Sequence, residues 1–399
     1  MDFAFTAEDQ DFRAEARQFL REHLPADLAL REARGFHLDR AEIAGWHRRI
    51  YERGWAAPNW PREFGGTGWT PIQKYLYELE YGIANAPEIS QIGLSMAGPV
   101  LCRFGSPELQ QRFLGPILRG DLWFCQGFSE PQSGSDLASL RTRAVRDGND
   151  YVISGQKIWT TWAHQADYMI ALCRTDAQAK PQPKPQAGLS MILIPMDAAG
   201  LSVRPIETID GDHTVNEVFL DDVRVPAGNL VGAINSGWTQ AKFLLGNERT
   251  HNAFVGLLKR YLARIPALIV AEQDRGLSAV AAAEFRRKHA LLQIDVDALE
   301  WSVLRVLAGD EGPALSAAAS ALKVRGSEYL LRASDLEMEI LGPQIAPRYS
   351  ADRSVPLPVG TSPAAPGRST QYLYWRASTI FGGTNDIQRS IIWNTLFRA

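Results

Sequence analysis

Residues 147–159 read DGNDYVISGQKIW, and their reading decides the fold class. Asp147-Gly148-Asn149-Asp150 is turn chemistry. It separates RTRAV from the β-branched and aromatic run YVISGQKIW, so the pattern predicts a β-hairpin. Working outward, YMIALCRT, LSMILIP, LSVRPIE and VNEVFLDDVRVP are further short runs of strand type. AQAKPQPKPQAG (177–188) is a Pro-rich exposed loop among them. Residues 121–233 therefore read as a compact antiparallel β domain.

On either side the texture is helical. Thr6 to Asp9 has the form of a capping box, followed by Phe12, Ala16, Phe19 and Leu20 on one face, with Pro25 as the stop. Asp39 can cap a second helix carrying Ile43, Trp46 and Ile50 and closed by Gly54. Thr70-Pro71 and Ser106-Pro107 open two more, and PNWPREFGGTGW (58–69) is a loop between them. From Ser236 onward Ala- and Leu-rich helical patterns run to the end. They are interrupted at 343–370, where six prolines rule out a helix. The expected organisation is an N-terminal helical domain (1–120), a middle β domain (121–233) and a C-terminal helical domain (234–399) with a Pro-rich insertion. Helices, then strands, then helices make an α+β protein with segregated layers, not alternating β-α-β units.

Composition narrows the function classes. A net charge of −3 with mixed signs gives no basic surface for nucleic acid or anionic membrane. Cys102, Cys125 and Cys173 are widely spaced, without a C-x-x-C or Cys/His cluster, so neither disulfides nor a metal site are expected. The first twenty residues are too charged for a signal peptide, and no apolar run approaches spanning length, so a cytoplasmic protein is expected. G-x-G-x-x-G after a strand, G-x-x-x-x-G-K-[ST] and G-x-S-x-G are all absent, which disfavours Rossmann, P-loop and α/β-hydrolase chemistry.

Four segments carry more information. CQGFSEPQSGSD (125–136) is either an irregular turn between strands or a polar loop whose amides and hydroxyls cradle a ligand. GQKIWTTWAHQAD (155–167) ends a strand in a Trp-Thr-Thr cluster, with the tryptophan either in the core or flanking a planar cofactor. NEVFLDDVRVP…NLVG…GW (216–238) leads into a helix containing FLLGNERT (243–250). Finally, IFGGTNDIQR (380–389) interrupts helical sequence with two glycines.

In this order and at these spacings the four segments resemble the acyl-CoA dehydrogenase family over nearly the whole chain. The pattern is especially like the pimeloyl-CoA dehydrogenase large subunit and bacterial relatives acting on bulky acyl or steroid side-chain CoA esters. The resemblance implies a helical domain, a β domain and a four-helix bundle. It also implies FAD, and an activity that removes two hydrogens from an acyl-CoA thioester, with electron-transfer flavoprotein as acceptor. By the same resemblance, Gln126 and Phe128 offer backbone groups to the flavin and Ser129 its hydroxyl. Trp159 flanks the ring, Thr161 bonds near N5, and Thr384 and Asp386 hold the ribityl and phosphate region. Ser135 falls where the CoA-bearing arm is contacted. Asp386 departs from the family, where an amide or Glu is commoner.

Many members carry the catalytic Glu at the position of Gly382, so this chain lacks a base there. Others carry it on the helix opening the final domain, immediately before an Arg, and Glu248-Arg249 stands there. The resemblance thus implies Glu248 as general base, with Arg249 on the substrate side. Such a base typically contributes about 10²–10⁴-fold. The other reading of Glu248 is a solvated helix carboxylate paired with a nearby Arg. Gly382 would use its backbone N–H on the thioester oxygen and leave room for a bulky group.

Homo-oligomeric members usually grip the neighbouring subunit's adenine with Arg-x-x-Phe-Gly. RYLARIPALIVAEQDRG (260–276) lacks it, and a second element appears only as EILGP (339–343). A partner chain of the same family is therefore expected to supply the missing half in an α2β2 assembly. The alternative is a homo-oligomer with a divergent adenine pocket. Competing functions on the same fold are a non-catalytic structural subunit and an acyl-CoA oxidase.

Overall fold

The structure is a computed structural model that describes residues 5–36, 38–176, 185–246, 253–309, 313–347, 349 and 356–397. Local side-chain chemistry sets most helix starts. Thr6 caps α1 (Ala7–His23) and Asp39 caps α3 (Arg40–Glu52), each in a reciprocal capping box; α2 (Ala26–Arg34) lies between them. Thr70-Pro71 opens α4 (Pro71–Ile83), where the Thr70 oxygen accepts from the Gln73 amide at 3.1 Å. These bonds satisfy N–H groups that a helix start leaves without partners. The sequence reading ended the first helix at Pro25 and missed α2. Proline stops a helix yet can stand just before the next, and here Gly35 closes α2 at φ 75°. A π-helical turn at Ile92–Ala97 runs into α5 (Gly98–Phe104), also unread from sequence, and Ser106 then caps α6 (Pro107–Arg119).

The strands are β1 (Phe124–Gly127), β2 (Arg143–Asp147), β3 (Asp150–Thr161), β4 (Tyr168–Arg174), β5 (Leu189–Pro195), β6 (Leu201–Ile206), β7 (Val215–Pro226) and β8 (Leu230–Val231). They form one sheet in the order β6-β7-β3-β2-β4-β5-β8, with β1 on β4. The expected hairpin is β2–β3, turned at Gly148 with φ 58°. Antiparallel pairing dominates, but β1 runs parallel to β4 and β2 touches β4 in parallel. The sheet is therefore not wholly antiparallel. The chain leaves β1, forms the β2–β3 hairpin and returns as β4, a crossover that parallel neighbours require. Ile153, Met169, Ala171, Ile192, Ile194, Val218 and Val223 are fully buried in its core.

After α7 (Gly237–Gly246) come α8 (Val255–Gln273), α9 (Ala279–Leu307), α10 (Pro313–Leu341), α11 (Arg368–Trp375) and α12 (Asn385–Leu396). Packing divides the chain into two compact units. One holds 1–38, 69–87 and 249–399, and the other 39–68 and 88–248. In the first, α10 packs on α8, α9 and α12, giving the bundle implied for the final domain. Helix α4 joins α8 where Gly82 lies on Gly256: a Cβ on Gly82 would come within 2.8 Å of the Gly256 backbone. Among its described residues the Pro-rich stretch is non-helical apart from a 3-10 turn at Gly342–Ile345 and its last three residues, which open α11 just beyond Pro366. No helix among the described residues is long and apolar enough to cross a membrane.

Candidate functional site

In the unit built on the sheet, β1 delivers Gln126 and leads into the loop bearing Phe128 and Ser129. Strand β3 delivers Trp159 and Thr161. The structure joins these two segments directly, because the Ile158 amide donates to the Ser129 carbonyl at 3.0 Å. A bulge between Lys157 and Thr160 then turns the strand. At that bulge Trp159 has φ 60° and is 57% exposed. A bulky residue in left-handed backbone is an outlier that the surroundings must enforce. Here Asn216 Nδ2 donates to the Thr160 carbonyl at 3.1 Å, and the Trp162 amide donates to the Thr214 carbonyl at 2.8 Å.

Beneath the loop lies a buried ion pair. Lys157 is 0% exposed, and its Nζ donates to Glu130 Oε1 at 2.9 Å, the Phe128 carbonyl at 3.2 Å and the Leu172 carbonyl at 2.8 Å. Glu130 Oε1 also accepts from the Thr142 amide at 2.8 Å, and its Oε2 from the Arg141 amide at 2.6 Å and Gln132 Nε2 at 2.7 Å. Burial pushes the Glu130 carboxyl up, but the Lys157 ammonium and the amide donors outweigh it and hold it at about 2. The sequence reading missed both residues. The signal was available: Tyr151, Ile153 and Lys157 share the inward face of β3, so a charge stands where an apolar side chain is the rule.

These residues fit a planar, polar ligand such as a flavin. Gln126 Nε2 is buried without a hydrogen-bond partner, and Ser129 and Thr161 are part-exposed with hydroxyls open to a ligand. The buried Gln126 amide is hydrogen-bonding capacity left unspent, and Thr161 lies two residues beyond an outward-facing indole. Ser135 is exposed, one residue beyond Gly134 and just past Ser133, whose hydroxyl donates to the Asp136 carbonyl at 2.8 Å. A separate cavity of 570 Å³ is lined by His164, His213, Asn216, Met196 and their neighbours. It shares Asn216 with the bulge support, but Gln126, Ser129, Trp159 and Thr161 do not line it.

In the other unit Gly382 (φ 65°) and Gly383 (φ 81°) form the turn before α12, in backbone that only glycine takes freely. Thr384 caps α12, its hydroxyl accepting from the Ile387 amide at 3.1 Å. Asn385 is buried, and its Oδ1 accepts from Lys323 Nζ at 2.9 Å. Burial pushes the Lys323 ammonium down to about 8. The Asp386 side chain is 92% exposed and pairs with Arg389 at 3.3 Å. Its carboxylate is thus turned into solvent in the first turn of α12, where the helix dipole favours it. Glu248 and Arg249 lie outside the described residues.

Comparison with known proteins gives the assignment. Residues 6–121, 125–223 and 235–397 match the N-terminal, middle and C-terminal domains of acyl-CoA dehydrogenase. The chain is 34% identical to the acyl-CoA dehydrogenase IpdE1 of Mycobacterium tuberculosis, over 96% of each protein. Among solved structures, the Tcur3481-Tcur3483 steroid ACAD superposes with a TM-score of 0.83 at 30% identity, over 99% of this chain and 98% of that one. The ChsE4-ChsE5 complex from Mycobacterium tuberculosis gives 0.82 at 30% identity over the full length of both chains. The chain belongs to the acyl-CoA dehydrogenase family, oxidoreductases that act on a CH–CH group.

Proposed function

We propose that this chain is an FAD-dependent enzyme that introduces the α,β double bond into an acyl-CoA thioester carrying a bulky acyl group of steroid side-chain type. The observation that carries the reading is the junction of Ser129 with Ile158, which sets part-exposed Ser129 and Thr161 on either side of an exposed, conformationally enforced Trp159. FAD, when bound, supplies the two-electron acceptor for the β-hydrogen leaving as hydride. The remaining work falls to the chain. Glu248 takes the α-proton, and the pair of electrons from that C–H bond becomes the new double bond. A carboxylate next to an apolar acyl chain is desolvated, which raises its pKa toward neutrality and suits it as a base. The Gly382 amide donates to the thioester oxygen as negative charge develops there. Ser129, Thr161 and the backbone at Gln126 and Phe128 bind and orient the ring, Trp159 flanks it, and Thr384 serves the ribityl side. Ser135 meets the CoA arm, and Arg249 stands on the substrate side. Asp386, turned outward, contributes charge balance at the start of α12.

The bulky substrate is supported by the structural neighbour described as a steroid ACAD, and Gly382, without a side chain, would leave room for it beside the α-carbon. Glu248→Gln is the direct test. It should abolish turnover of CoA esters with an artificial electron acceptor while FAD stays bound, and retained turnover would remove Glu248 from the mechanism.

We further infer that the enzyme works in the cytoplasm as half of an α2β2 assembly with a second chain of the family, passing electrons to electron-transfer flavoprotein. The arginines of 260–276 support the partner. Arg260 pairs with Glu32 at 3.1 Å, Arg264 pairs with Glu337, and Arg275 bonds the Gly360 carbonyl. Arg260 and Arg264 are thus drawn into their own unit and not offered outward, whereas Arg275 is exposed. Within this reading the domains are 1–120, 121–233 and 234–399.

A further inference from the structure

The Lys157–Glu130 pair calls for an explanation that stability does not provide. Desolvating two charges costs several kcal/mol per ion, and a well-packed apolar pair of similar volume is often as stable or more so. What an apolar pair cannot do is direct hydrogen bonds. All three Lys157 donors are used, two of them on main-chain carbonyls: Phe128, one residue before Ser129, and Leu172 on β4. The Glu130 oxygens collect the amides of Arg141 and Thr142 at the far end of the same loop. The Glu130 and Ser133 main chains exchange two further bonds of 2.9 Å each. One closed network therefore fastens both ends of the 128–142 excursion to β3 and β4. Even the glycine before the loop belongs to it. A Cβ on Gly127 would clash with Met169 at 2.3 Å and come into contact with the lysine stem, 3.4 Å from Lys157 Cγ.

We propose that Lys157 and Glu130 are positioning residues. They fix the register between the Phe128–Ser129 loop and the Trp159–Thr161 bulge, so that the groups offered to the flavin from two segments are held at one spacing. This rests on the flavin-binding reading above. Neither residue touches the ligand; Lys157 acts through the Phe128 carbonyl and through its place two residues before Trp159. A fully satisfied buried network of this kind rigidifies what it joins.

The test uses the co-expressed two-chain complex and compares wild type with Lys157→Met and with the charge-neutral double variant Lys157→Met/Glu130→Gln, each complex stripped of flavin. The double variant is decisive, because the single one strands a buried carboxylate. Three quantities are read well below the melting temperature: the dissociation constant for added FAD, hydrogen exchange at the Arg141, Thr142 and Ile158 amides, and the circular dichroism spectrum. The expected result for the double variant is an unchanged spectrum, faster exchange at those three amides and FAD binding weakened at least tenfold. Arg224→Ala, which breaks an exposed pair with Asp147 on the same sheet, should leave all three unchanged. A folded double variant that binds FAD as tightly as wild type overturns the proposal. Wild type that takes up no FAD overturns the flavin reading instead, and exchange unchanged from wild type then overturns the positioning role independently.

Discussion

His47 shows what a single side chain contributes and how little of it the sequence reveals. It sits on the buried face of α3 at 1% exposure, where its Nε2 bonds the Leu118 carbonyl at 3.0 Å and its Nδ1 is buried without a partner. Burial pushes the imidazole down to about 4 from the usual 6.5, against the upward pull of the Leu118 carbonyl. Between those values the unfolded chain holds the proton and the folded chain does not. Stability from this residue is therefore complete above pH 6.5 and is lost as pH falls toward 4. The shift is worth roughly 3 kcal/mol at about 1.4 kcal/mol per pKa unit. Urea midpoints recorded from pH 7 to 4 should fall with that slope in wild type and flatten over the same window in His47→Gln. An identical slope in both proteins would assign the pH dependence elsewhere. The candidate site is similarly divided. Trp159 and Thr161 could be singled out as residue types at the end of a strand, but the left-handed backbone that turns the indole outward comes from Asn216, fifty-odd positions along, through a bond to Thr160. Nothing local to either segment announces it.

Elements were legible where their signals are local. Thr6, Asp39, Thr70 and Ser106 stand where the sequence predicts helix starts, because a cap is a bond spanning three residues and the pattern contains both partners. The β2–β3 hairpin was legible for the same reason. Unread were α2, the π-helical turn and the parallel placement of β1, each set by what the rest of the chain packs against it. Thr384 offers a test at this scale. It caps α12 directly after two glycines in left-handed backbone, so the helix has no other side chain at its start to satisfy the Ile387 amide. Thr384→Ala should cost about 1 kcal/mol, and Thr384→Ser, which keeps the oxygen, should cost a few tenths at most. Denaturant midpoints of the two variants check this. Equal loss in both would mean that the threonine methyl, not the cap, holds the turn.

At the scale of the whole molecule, the succession of helices, strands and helices fixed the fold class, yet the compact units draw on segments far apart in sequence. Glu80 on α4 accepts from Arg13 and Arg17 on α1, and Arg264 on α8 reaches the Ala33 carbonyl at the end of α2. Such long-range pairs leave no trace in periodicity. The same scale bears on the proposed two-chain assembly. On α12, Trp393 is 60% exposed and Leu396 51%, and Phe397 just beyond is 65% exposed, with the Trp393 and Phe397 rings 4.9 Å apart. Large aromatics left uncovered together at one helix end are a surface that gains from burial against another chain. The arginines of α8, meanwhile, are all turned inward. We therefore expect Trp393→Asp to leave the isolated chain folded but to abolish its co-purification with the family partner. On the proposed two-chain assembly, in which the partner supplies the adenine-binding half, FAD retention should fall with it. Analytical ultracentrifugation and flavin content of the co-expressed proteins measure both. A homotetramer of this chain alone, holding one FAD per subunit, would contradict the two-chain assembly and place an adenine pocket within residues 260–276 after all.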